Sequence, residues 1–137
     1  MSYDAINTAL FTKLAALAPA IPIAWPNVNY APQIGTPYMR AAIIPYPTAN
    51  PTMGMGALDV KRYFGLLQVL LYYPINSGEG DLRRKADAVI AWFYRGLTLT
   101  SGGVSVNIDA TPYASPAFVS DAWFVVPVSI PYRSDVF

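Results

Sequence analysis

The chain has no histidine, no cysteine and a single glutamate, Glu79, among its 137 residues. Without imidazole it lacks the one side chain whose ordinary pKa lets it shuttle protons near neutral pH. Without thiols it has no cysteine nucleophile, no disulfide framework and no cysteine-based zinc site. The two absences together remove the imidazole and thiolate ligands that transition metals favour. Charge is scarce too. Only 12% of residues are charged, about half the ~25% usual for soluble domains. The net charge is +1, so no global field draws nucleic acid or an anionic membrane. Long apolar runs are missing as well. The best, residues 64–75, is interrupted by Gln68 and Pro74 and falls short of the ~18 residues a membrane span needs. No secretory signal is expected, because Asp4 stands where a basic region belongs and Lys13, Pro19 and Pro22 break residues 10–24.

What the chain does have is surface to bury: 54% of residues are hydrophobic and 14% aromatic. The length fits one domain over residues 1–137 with a single core. A skin this poor in charge points to cover by another subunit, since obligate interfaces resemble a core cut in half. The competing reading is a compact monomer with a Ser, Thr, Asn and Gln surface. In either case the work of the chain is contact rather than chemistry.

Periodicity gives the elements. Residues 2–18 read as a helix with Ser2 as N-cap, an apolar stripe of Tyr3, Ile6, Leu10, Leu14 and Leu17, and a stop at Pro19. Residues 21–35 carry three prolines and predict an extended crossing with a short strand near 23–25. Strands are predicted at 38–44 and 62–73. The connection between them, residues 45–60, holds Pro45, Pro47, Pro51, Gly54, Gly56, Met53 and Met55. It exceeds an ordinary hairpin loop, so it reads as a long mobile one. The strand at 62–73 splits by parity. Leu67, Val69, Leu71 and Tyr73 share one face, and Phe64, Leu66, Gln68, Leu70 and Tyr72 share the other. Both faces are largely apolar, so both require cover.

A second helix is predicted over 81–95, with Asp81 as N-cap, Gly96 closing it, and Leu82, Ala86, Val89, Ile90 and Phe93 as its buried stripe. Ser101-Gly102-Gly103 marks a hairpin between strands at 97–100 and 104–108. A looser piece with Pro112 and Pro116 follows, then a last strand at 122–132. Pro127 and Pro131 share a parity, so their missing N–H groups point the same way. That places the strand at a sheet edge or at a bulge.

Motifs that could carry chemistry are weak. Gly103-Val104-Ser105-Val106-Asn107 lacks the closing glycine of a nucleophile elbow, and no histidine is there to serve Ser105. Gly54-Met55-Gly56 lacks the third glycine of a dinucleotide fingerprint. The carboxylates form no close pair and no calcium loop. No cofactor, metal site or catalytic residue is implied. Candidates for contact remain. Leu66, Gln68 and Leu70 lie on the second strand face. Met53 and Met55 are flexible thioethers suited to an adaptable surface. Trp92, off its helix's main stripe, is a core-edge residue or an interface anchor. Arg83, Arg84 and Lys85 read as a solvated helix face or as a contact for phosphate or an acidic partner.

The order of elements, read with several local strings, resembles the small tail terminator-like proteins of long-tailed bacteriophages. The strings are Met1-Ser2-Tyr3-Asp4-Ala5-Ile6, Gly35-Thr36-Pro37-Tyr38, Gly65-Leu66-Leu67-Gln68-Val69 with Tyr72-Tyr73-Pro74, and the run from Trp123 to Arg133. The resemblance implies an α+β fold with two helices packed on one face of a mixed, mostly antiparallel sheet. It also implies a homo-oligomeric ring, typically a hexamer, that caps the tail tube and meets a head-completion or connector protein. The place would be the neck end of the virion tail, with assembly in the host cytoplasm. Such proteins carry no catalytic residues. One departure concerns Leu66 and Leu70, which share the Gln68 face where such strands usually put polar residues outward. Two other readings stand beside this one. The first is another head–tail connector or neck protein. The second is an aromatic-rich module that binds carbohydrate or protein through Trp25, Tyr30, Tyr46 and Tyr113.

Overall fold

The strand of two apolar faces becomes the spine of the molecule. The computed structural model describes residues 2–17, 21–26, 28, 30–32, 35–47, 61–76, 78, 80–120 and 122–136. Ten elements follow in chain order: α1 (Ser2–Ala15), β1 (Ile23–Ala24), β2 (Tyr38–Pro45), β3 (Lys61–Pro74), α2 (Gly80–Trp92), β4 (Thr98–Ser101), β5 (Val104–Asn107), β6 (Tyr113–Ala114), β7 (Phe118–Ser120) and β8 (Trp123–Val136). All eight strands join one curled sheet in the order β1-β2-β3-β8-β5-β4, with β6 and β7 also paired to β8. Among the described strand pairs only β1 with β2 is parallel. The fold is α+β, as the sequence predicts. The connection at 45–60, with Met53 and Met55, lies outside the described residues beyond 47.

Register fixes the two faces. On β3, Leu67, Val69 and Leu71 stand beside Ile43, Ala41 and Met39 of β2 and beside Ile130, Val128 and Val126 of β8. Directly opposed residues share a face, and this one is buried. Ile6, Leu10, Leu14 and Leu17 of the first helical segment and Leu82, Ala86, Val89 and Phe93 of the second pack onto it in one cluster. The parity split and the helical stripes of the sequence therefore meet in a single core. Fully burying side chains of this kind contributes about 1.5–3 kcal/mol each.

The helices also touch each other. Lys13 lies in the last turn of α1, where backbone carbonyls lose their helical partners. Its carbonyl accepts a hydrogen bond of 2.6 Å from Trp92 Nε1. Its ammonium sits 3.7 Å from the centre of the same indole ring. Trp92 is thus a core-edge residue that fastens α2 to α1. Helix α2 stops at Trp92, earlier than the expected 95. Gly96 does not close it. Gly96 instead adopts φ +92° and donates its N–H to Ile108 O at 2.8 Å, which turns the chain into the β4–β5 hairpin. That hairpin is as predicted, with Gly102 and Gly103 both at positive φ, the requirement of its two-residue turn.

The last strand corrects an expectation. β8 is not at an edge: β3 lines one side along its whole length and β7, β6 and β5 share the other. Ser115 N donates to Pro127 O at 2.8 Å, so the odd-numbered backbone groups of β8 face the short strands. Pro127 and Pro131 direct their missing donors to that interrupted side, and the long ladder with β3 stays complete. The side opposite the prolines carries the continuous ladder, as their shared parity predicts. Short segments fill the other side, which the prolines alone do not predict.

Candidate interaction surface

The sheet face away from the helices is assembled row by row. Tyr38, Tyr72, Val125 and Phe118 form one row. Arg40, Leu70 and Pro127 form the next, then Ala42, Gln68, Ser129 and Tyr113, then Ile44, Leu66 and Pro131. Among the described residues no helix covers these rows. Val125 and Ser129 are nevertheless buried, because taller side chains flank them on both sides. Leu66, Gln68 and Leu70 are half-buried. The parity assignment holds, so the departure from a polar outer face is real.

Aromatic rings and charges frame the surface. Tyr38 stacks on Tyr72 at 4.6 Å and meets Trp123 edge-on at 5.1 Å. Arg40 lies 5.9 Å from the Tyr72 ring centre, and its hydrogen bond to the Tyr38 side chain raises its pKa further. At the other end Arg62 Nε and Asp135 Oδ1 pair at 2.8 Å, and Arg62 Nη2 reaches Oδ2 at 3.3 Å. The hydrogen bond from Arg62 holds the Asp135 carboxyl below its ordinary range, with the charges of Arg62 and Arg133 adding to it. Among the described residues, Arg133 Nε is buried without a hydrogen-bond partner. This arrangement suits contact. Among the described residues no group of three His, Cys, Asp or Glu could hold a metal ion, and no helix is long and apolar enough to cross a membrane.

The structure divides the remaining candidates. Arg83 and Arg84 are exposed on α2, on the helix side of the sheet, where Arg84 pairs with Asp81. Lys85 departs from the solvated triplet. It is only 5% exposed, on the buried stripe beside Ala86, and burial lowers its pKa. The basic triplet and the Leu66–Leu70 face therefore belong to different surfaces. The four aromatic platform candidates do not converge. Trp25 packs on Phe11, Tyr30 on Tyr38 and Tyr46 on Phe64, and among the described ring contacts none joins two of the four.

Sequence reading missed the sheet edges. Past the two residues of β1, the outer edge of β2 has no partner among the described residues. It borders a groove of about 600 Å³ lined by Phe11, Trp25, Pro26 and Ile43. On the far side of β8, Phe118 and Val119 of β7 are 46% and 64% exposed. The only signal was an uncharged Phe-Val-Ser run between prolines, which reads as loop.

The profile of a family described as phage tail terminator protein matches residues 5–132. Among solved structures, one aligns over 100% of this chain and 98% of its own, at 29% identity and a TM-score of 0.79. No match emerges among curated proteins.

Proposed function

The chain belongs to the phage tail terminator protein family, a structural component of the virion tail, and on that premise we propose that it forms a homo-oligomeric ring. The ring, a hexamer, caps the tail tube after assembly in the host cytoplasm and offers its other surface to a head-completion or connector protein. The observation that carries this reading is the helix-free sheet face, where Leu66 and Leu70 are left half-buried. A neighbouring subunit or the tube end supplies the missing cover. Met53 and Met55 are assigned to the same contacts from residue type alone. The protein acts as one domain, without catalysis, cofactor or specific nucleic-acid site, and contact is its whole task.

The test is sedimentation of the purified chain over rising concentration, beside electron microscopy of tail tubes incubated with it. A ring, free or seated on tube ends, is the expected result. A chain that stays monomeric throughout and leaves tube ends bare overturns the proposal.

A further inference from the structure

We propose that the exposed edge of β7 pairs antiparallel with the open edge of β2 in a second copy, with Val119 opposite Ile43, so that the sheet continues from subunit to subunit. The inference rests on the ring reading above and names the surfaces that join it.

Backbone direction comes first. Met39 N donates to Pro22 O at 2.9 Å, on the β1 side, whereas Tyr46 N donates to Phe64 O at 2.9 Å, on the β3 side. Direction alternates along a strand, so Ile43 turns its N–H and C=O to the open edge. Ser115 N bonds Pro127 O, so Trp123 and Val125 of β8 face β7 and bond Ser120 and Phe118, their register partners. Val119 between them therefore turns its N–H and C=O outward. Among the described residues each edge thus presents, at its centre, one residue whose backbone groups have no strand neighbour.

Side chains agree with that register. Ile43 stands beside Leu67, and Val119 beside Phe124, itself opposite Tyr73. Both thus lie on the helix side of the sheet. Pairing them brings Val119 against Ile43 at the mouth of the Phe11 and Trp25 groove. The same antiparallel register sets Phe118 against Ile44 on the opposite face. These residues are 46% and 41% exposed, so each exposed apolar side chain covers another. A parallel pairing would set Phe118 against Ala42 and leave Ile44 facing Ser120.

Chain direction agrees as well. β2 is antiparallel to β3, β3 to β8 and β8 to β7, so β7 and β2 run in opposite senses. An antiparallel β7–β2 contact therefore keeps the two copies the same way up, with their helices on one side. The two edges are different surfaces on opposite flanks, which makes the contact head-to-tail, the kind that closes into rings. Neither edge carries the charge with which free edges discourage pairing. Phe118-Val119-Ser120 and Ala41-Ala42-Ile43-Ile44-Pro45 contain none.

The absence of native cysteine makes the test clean. Directly opposed residues on antiparallel strands have Cα atoms about 4.5–5.5 Å apart, within disulfide reach. The full-length chain carrying Ile43→Cys and Val119→Cys, oxidised under assembling conditions, should give a ladder of covalent species beyond the dimer. Mixing the two single variants should stop at dimers. Val119→Asp, at a site already open to solvent, should keep the parental circular dichroism and lose the oligomer. An oligomer that forms without cross-linking, or that survives Val119→Asp, overturns this interface and leaves the ring reading standing. A parental chain that forms no oligomer and leaves tube ends bare overturns the ring reading, and this inference with it.

Discussion

Gly65 has no side chain because there is no room for one. A Cβ built there would lie 2.3 Å from Ile44 O and 2.9 Å from Pro45 Cα. Both belong to the backbone of β2 and cannot swing away. Gly65→Ala is expected to cost about 1–3 kcal/mol and to appear as a lower urea midpoint with an unchanged slope. Asp135 gives a pH-dependent counterpart. Its folded-state pKa lies below its ordinary 3.8, first through the Arg62 hydrogen bond. Its contribution to stability is therefore fully present above the unfolded carboxylate's pKa and is lost as pH falls through the depressed folded value. Urea midpoints measured from pH 6 down to pH 2 should show an acid-side loss that is smaller in Asp135→Asn. At this scale the sequence was partly legible. The glycine of Gly65-Leu66-Leu67 reads as a place of close approach only once the register beside Pro45 is known. Lys85 looked like a member of an exposed triplet, because consecutive charges do not reveal which of them turns inward on a helix.

Between elements, one indole adds a polar link from α2 to α1. Trp92→Phe keeps a ring but removes the N–H that caps Lys13 O and weakens the attraction for the ammonium above it. The expected cost is about 1–2 kcal/mol, from one hydrogen bond and one partly exposed cation–π contact. Trp92→Phe should leave the oligomeric state unchanged, whereas an interface anchor would lose it. Sedimentation separates the two. The strands and helices were legible because their periodicities are strong. Leu67, Val69 and Leu71 alternate with Leu66, Gln68 and Leu70, and Ile6, Leu10 and Leu14 recur at helical spacing. The neighbours of β8 were not. Pro127 and Pro131 mark the side with fewer hydrogen bonds, but local sequence does not say that three short segments from elsewhere in the chain occupy it. Segments of two to four residues carry almost no periodic signal.

For the whole molecule, the central question is which surfaces remain uncovered. Leu66→Asp combined with Leu70→Asp is expected to weaken assembly more than folding. The leucines are half-buried within one copy, so each already contributes part of the ~1.5–3 kcal/mol that full burial gives. In an assembled contact the same carboxylates would be buried without partners, at a larger cost. Circular dichroism should stay parental while oligomer mass or occupancy of tube ends falls. If both are retained, the face stays open in the assembled tail. The two-faced strand made this surface legible from sequence alone. The edges were invisible, because an edge is a property of strand order and not of any one segment.

The two edges are also staggered. Val119 stands level with Tyr73 and Ile43 level with Leu67, six residues lower on the same strand. That is a climb of about 20 Å along the strands for every copy. A copy spans four strand spacings from β2 through β3, β8 and β7 to the next β2, or about 19 Å across them. If the edges join and the circle closes without rising into a spiral, the strands must lean about 45° from its axis, at the upper end of the slant common in closed barrels. The length of β2 beyond β1 thus sets the inclination of the wall.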